Sequence, residues 1–210
     1  MEVDLKIHAS LSKKQFGFTK DASTETTLHK IVHKTDRAIL LSEMALGTFL
    51  DIKDAFDNVT FNALNEAITE KCPSTKFPNW NMAIIKSRSA TLKPNDTSKT
   101  IKILKGCPQA GIFFPCHWNL VLDSLLNYAK DKIPCKMQGF ADDIALLAII
   151  ETSSSANQGG FDANSIREIT QKSLYAISEW TDNKCNEKSL SNVHLEEEVE
   201  LLYAPQSGRK

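Results

Sequence analysis

Three aspartates stand where an acid is costly. Asp142 and Asp143 directly precede the apolar run Ile144–Ile150, and Asp51 ends the stretch Gly47-Thr48-Phe49-Leu50. A carboxylate beside buried strands costs several kcal/mol unless it is paired or bound to a metal. Its hard oxygens suit Mg²⁺ or Mn²⁺, which draw further ligands from substrate phosphates. Two such ions, roughly 3.5–4 Å apart, can clamp an in-line phosphoryl transfer, one activating the attacking hydroxyl and the other steadying the leaving group. An Asp-Asp pair between two strands is, alone, more often a solvated turn. Other spaced motifs must decide.

The elements that would position these acids can be read from pattern. Ser23 is a candidate cap for a helix whose Leu28, Ile31, Val32 and Ile39 share a face. Residues 46–52 read as a short buried strand, followed after Asn58 by a helix with Phe61, Leu64 and Ile68 inward. Ile84 and Ile85 belong to another short helix, and residues 89–104 form a hairpin around Pro94-Asn95-Asp96. An amphipathic helix carries Trp118, Val121, Leu122, Leu125 and Leu126. Residues 135–149 read as two buried strands with the acids at the tip. A last helix points Ile166, Ile169, Ile177 and Trp180 inward. Helices and hairpins without regular βαβ alternation predict an α+β fold.

Bulk properties narrow the class. The chain has 210 residues, 41% hydrophobic and 24% charged, as expected for one globular domain or slightly more. No window is apolar enough to span a bilayer, so no membrane association is expected. The segment Met1–Lys6 lacks the apolar core of a secretory signal. A net charge of −1 gives no global basic footprint for nucleic acid, although a local groove can sit within a neutral total. The five cysteines form no Cys-x-x-Cys pair, which points to reduced thiols inside a cell. His29 and His33 read as solvated helix residues, His117 as structural, and residues 196–200 as a solvated acidic face. Lys99, Lys102 and Lys105 read equally as the lining of a template groove or as a wet strand face.

The motifs, taken in order, carry a resemblance. Gln15-Phe16-Gly17-Phe18 with Ser23-Thr24-Glu25 is followed by Phe49-Leu50-Asp51-Ile52-Lys53-Asp54-Ala55-Phe56-Asp57-Asn58-Val59. Then come Lys105-Gly106-Cys107-Pro108-Gln109-Ala110-Gly111 with Pro115, Trp118 and Asn119, Phe140-Ala141-Asp142-Asp143, and Trp180 with Leu190-Ser191. This series resembles the reverse transcriptase of non-LTR (LINE-like, jockey-type) retrotransposons. The resemblance implies a polymerase right-hand palm with partial fingers, its antiparallel sheet packed on helices. It divides the chain into an unassigned segment 1–14, a reverse transcriptase domain over 15–202 lacking a thumb, and a polar tail 203–210. It implies an RNA-directed DNA polymerase that uses two Mg²⁺ or Mn²⁺ ions, an RNA template, a DNA primer and deoxynucleoside triphosphates (dNTPs). Fingers, thumb and endonuclease segments would come from a longer protein, acting in the nucleus.

Residue by residue, the resemblance makes Asp51, Asp142 and Asp143 catalytic and metal-binding, with Ile52 offering its backbone carbonyl. Phe56 becomes a gate against the ribose 2′-hydroxyl, Gln109 a contact to the nucleotide, and Gly106 and Pro108 the shapers of that loop. Some positions depart from the pattern: Ala110 replaces a glycine, Phe113-Phe114 replace Leu-Ser, and Glu196 falls near a lysine position. Two other readings therefore stand beside the first. One is a decayed remnant without catalysis, either a nucleic-acid-binding or an inert palm fragment. The other is an RNA-dependent RNA polymerase, against which Phe56 argues.

Overall fold

The computed structural model describes residues 11–52, 54–72, 76–93, 97–107, 114–150, 163–185 and 198–203. In chain order the elements are α1 (Thr24–Leu40), β1 (Met44–Asp51), α2 (Ala55–Asn58), α3 (Phe61–Lys71), α4 (Lys76–Lys86), β2 (Ser89–Leu92), β3 (Lys99–Lys102), α5 (Phe114–Lys132), β4 (Lys136–Phe140), β5 (Asp143–Ile150), α6 (Ala163–Lys184) and β6 (Glu198–Tyr203). Four strands form an antiparallel sheet in the order β4-β5-β1-β6, and β2 and β3 form a separate hairpin. The fold is α+β, as the element pattern predicts.

Strand alternation divides the sheet into two faces. Leu46, Leu50, Met137, Ile144, Leu146 and Ala148 enter the main core with α3, α5 and α6, where Leu64, Trp118, Leu122, Leu125 and Ile177 are fully buried. The opposite face is narrower. There Ala45, Leu147 and Ile149 receive Ala38 of α1.

Ser23 does cap α1: its hydroxyl accepts from Thr26 N at 3.1 Å while Thr26 Oγ1 accepts from Ser23 N at 2.8 Å, a reciprocal capping box. The helix nevertheless buries a different face from the one predicted. Thr27, Ile31, Thr35 and Ala38 are buried, whereas Leu28, Val32 and Ile39 are 58%, 47% and 37% exposed. Small side chains at 27, 35 and 38 let the helix lie close on the narrow face, and counting apolar positions does not reveal that preference.

Two other expectations change. The acidic stretch near the C-terminus contributes a strand: β6 pairs Phe49 with Glu198 and Gly47 with Glu200. Lys99 and Lys102 lie three residues apart on β3, opposite Leu92 and Ser89, and so project from opposite faces of the hairpin. Lys105 lies beyond the strand and donates to Asn58 Oδ1 at 2.7 Å. The three lysines do not line one face. The Pro94 turn, the loop over 152–160 and residues 190–196 fall outside the described residues.

The segment before α1 closes the β4 edge. Phe16 N donates to Gly139 O at 2.9 Å, and Gly139 N donates to Lys14 O at 3.0 Å. Asp123 of α5 holds the same segment from below. This fully buried carboxylate accepts from Ser12 N at 2.6 Å and from Asn127 Nδ2 at 2.9 Å, and pairs with Lys71 at 2.7 Å. Its charge is thus met by a cation and two donors, the condition for tolerating a buried ion.

Gly17 lies so close to the β4–β5 turn that a Cβ would stand 2.1 Å from Ala141 N. A Cβ on Gly139 would meet only the flexible end of Leu122, at 2.8 Å. Backbone cannot yield as a side chain can. Gly17→Ala is therefore expected to cost about 3 kcal/mol in urea unfolding and Gly139→Ala about 1 kcal/mol. Equal costs would show that the approach of Gly17 is not a constraint.

Candidate active site

The antiparallel register sets the acids side by side. Asp51, the last residue of β1, lies directly opposite Asp143, the first of β5. The pairing Phe140↔Asp143 leaves Ala141 and Asp142 as a two-residue turn. The chain leaving β1 is tied to that turn, because Ile52 N donates to Asp142 O at 3.3 Å. Asp51 and Asp142 are half-buried and Asp143 is exposed. Partial burial, and then the neighbouring Asp142 and Asp51 charges, push the Asp143 carboxyl above the ordinary aspartate value. The Asp142 and Asp51 charges thus both act on Asp143.

The turn is held from two sides. Ala141 has φ 55°, at a position where such hairpins favour glycine. Its carbonyl accepts a 2.7 Å bond from the indole Nε1 of Trp118, whose ring is fully buried. Gly17 packs on the other side of the turn, and its own carbonyl is held by Asn119 Nδ2 at 2.9 Å. Trp118 read from the sequence as a core residue. It is also the donor that fixes the acidic turn, and no sequence signal distinguishes the two roles.

Phe56 stands beside this arrangement. Asp54 adopts φ 51° and its carbonyl accepts from Asp57 N and Asn58 N, each at 2.9 Å, which winds the short α2 directly after β1. The half-buried Phe56 ring lies 5.4 Å from Trp118 and 6.5 Å, edge-on, from Phe18. The gate candidate is thus wedged by the same tryptophan that holds the Asp142 turn.

The loop that begins at Gly106 is fastened to α2 and to the residue that follows it. Gly106 N donates to Val59 O at 2.8 Å, and Cys107 N donates to Phe56 O at 2.7 Å. Gly106 has φ 79°, and a Cβ there would stand 2.8 Å from Asp57 O, so the close approach requires glycine. Arg88, which the sequence reading missed, donates from its guanidinium to the Lys105 and Gly106 carbonyls. Pro108 and Gln109 lie outside the described residues.

Other titratable groups nearby are poorly suited to proton transfer. Burial pushes the Cys107 thiol up to about 12, and burial followed by Arg88 lowers His117 to about 4. At neutral pH the thiol stays protonated and the imidazole neutral.

Among the described residues, no three His, Cys, Asp or Glu side chains converge on a single point. What the site offers is a group of mutually repelling carboxylates beside the Ile52 carbonyl, which accepts one bond, from Ala55 N at 3.1 Å, and keeps a second lone pair. Hard carboxylate and carbonyl oxygens fit Mg²⁺ or Mn²⁺ whose remaining ligands are substrate phosphates.

Comparison with known proteins gives the same picture. Residues 1–188 match the family described as reverse transcriptase (RNA-dependent DNA polymerase). The chain is 28% identical over 142 residues to a 115 kDa protein of the type-1 retrotransposable element R1DM of Drosophila melanogaster, covering 68% of this chain and 13% of that protein. It is 26% identical over 196 residues to the RNA-directed DNA polymerase from the mobile element jockey of the same species, covering 88% of this chain and 20% of the relative. The chain thus spans between 13% and 20% of the length of these two relatives. Its fold resembles apo telomerase from Candida tropicalis truncated from its C-terminal domain, with a TM-score of 0.64 at 12% identity over 100% of this chain and 40% of that one. The chain therefore belongs to the reverse transcriptase family, as a domain of the kind carried by non-LTR retrotransposons.

Proposed function

We propose that this chain is the catalytic palm of an RNA-directed DNA polymerase that extends a DNA primer on an RNA template. One observation carries the reading: Asp51 and Asp143 are register partners, Asp142 occupies the β4–β5 turn that leads into Asp143, and that turn is bonded to Ile52. Asp51 and Asp142, with the Ile52 carbonyl, would hold two Mg²⁺ or Mn²⁺ ions, and Asp143 would support them. When bound, such ions lower the pKa of an attacking primer 3′-hydroxyl and neutralise charge on the triphosphate. The side chains keep that site anionic, and Trp118 and Gly17 keep its turn in place. Phe56 would sit under the sugar and exclude a ribose 2′-hydroxyl. Gln109 would contact the nucleotide, in a loop shaped by Gly106 and Pro108. The parts that grip the duplex would come from a longer protein working in the nucleus.

Three measurements test this reading. In primer extension with Mg²⁺ on an RNA template, Asp142→Ala should lower the rate by about a thousandfold, the scale of several kcal/mol of lost charge stabilisation. Equal extension by the variant would sink the assignment. Phe56→Ala should raise ribonucleotide incorporation relative to deoxynucleotide by about tenfold or more, and an unchanged ratio would remove the gate role.

The third measurement concerns stability. The fold raises the Asp143 pKa, so the folded chain binds that proton more tightly than the unfolded chain. The ionised form is therefore penalised at neutral pH, and the penalty disappears below the ordinary aspartate value of about 3.9. Asp143→Asn should raise the melting temperature of the metal-free chain at pH 7 but not at pH 3. A similar difference at both values would contradict the electrostatic account.

A further inference from the structure

The two flanks of α1 differ in chemistry. At about 3.6 residues per turn, Lys30, Lys34 and Arg37 fall on one side of the buried Thr27–Ile31–Ala38 seam, and Leu28, Val32 and Ile39 fall on the other. The cationic flank faces the β4 edge. Lys30 Nζ stands 4.4 Å over the ring of Phe16, the residue bonded to Gly139. Further along, Lys34, Arg37, Lys136 and His33 line a hollow of 350 Å³ in which the one acid is Glu43. Burial, and then the charges of Lys136, Lys14 and Lys30, lower the Lys34 ammonium below its usual value, so all three lysines lie within electrostatic range of Lys34. Among the described residues, none of these lysines, nor Arg37, pairs with a carboxylate. A chain of net charge −1 thus gathers five cations on one surface.

That surface is separate from the carboxylates. Lys136 pairs with Leu147, four residues along β4 from the Phe140↔Asp143 pair, or roughly 13 Å at 3.3 Å per residue. The α1 cations step along the helix by about 6 Å and then about 4.5 Å, gaps that long side chains bridge to the phosphates of a strand. The Phe16 ring is buried under Lys30, which favours phosphate contacts over base stacking. A lipid surface fits less well. The apolar stripe a membrane would need lies on the opposite flank of the helix.

We propose that Lys14, Lys30, Lys34, Arg37 and Lys136 bind the phosphate backbone of a nucleic-acid strand, without sequence preference, at a second site remote from the carboxylates. The inference rests on the polymerase reading only for the class of polyanion. The test is fluorescence anisotropy of the full chain with a short oligo-uridine RNA in EDTA, across a salt series. Neutralising three exposed members with Lys30→Gln, Arg37→Gln and Lys136→Gln should flatten the log–log salt slope by about 2, from about 0.7 per lost phosphate contact. The same charge change at Lys76, Lys86 and Lys172 should leave the slope intact, and Lys30→Arg with Lys136→Arg should retain wild-type binding. An unchanged slope in the triple variant overturns the proposal, as does binding to phosphatidylserine vesicles in place of RNA. Absence of primer extension by the unmutated chain, with its RNA binding and salt slope as expected, would count against the polymerase reading alone. Intact extension with an unaltered slope would count against this site alone.

Discussion

The structure depends on a repulsion held in place. Pairing β1 with β5 puts Asp51 opposite Asp143 and leaves Asp142 in the adjoining turn. Burial first, and then the Asp142 and Asp51 charges, raise the cost of ionising Asp143. Strand register has period two, so a slip of one residue would move every side chain of β5 to the other face. It would send Ile144, Leu146 and Ala148 out of the core. The hydrophobic core therefore fixes the position of the acids, and the energy of burial outweighs their mutual repulsion.

A set of backbone contacts holds the acidic turn against relaxation. Ile52 N, the Trp118 indole and the close approach of Gly17 act on the Asp142 turn from three directions. Trp118 also touches Phe56, and Phe56 O anchors Cys107 at the start of the next loop. Acids, gate candidate and loop are thus connected through one side chain. A pre-organised site of this kind suits chemistry that depends on placing charge rather than on covalent steps.

Much of this was legible in the sequence, for physical reasons. The apolar run after Asp143 and the stretch before Asp51 identified two buried strands, and the spacing of Trp118, Leu122 and Leu125 identified a helix packed on them. Ser23 announced the α1 start through the hydroxyl it could offer. The orientation of α1 was not legible, because the sector that meets the sheet is set by small residues, Thr27, Thr35 and Ala38, which carry weak hydrophobic signal. β6 was masked by its glutamates, whose alternation with Val199 and Leu201 is the strand period. The Trp118–Ala141 bond joins residues distant in sequence, and Arg88 acts through backbone carbonyls that no motif encodes.

The central claim is that Asp51 and Asp142, supported by Asp143, make a two-ion divalent-cation site that a deoxynucleoside triphosphate completes. Electron paramagnetic resonance of Mn²⁺ titrated into the chain with a dNTP tests it most directly. The account predicts an immobilised Mn²⁺ signal that requires the nucleotide and is lost in Asp51→Asn and in Asp142→Asn, but survives Asp131→Asn on the exposed end of α5. Equal Mn²⁺ binding by all four chains would contradict it.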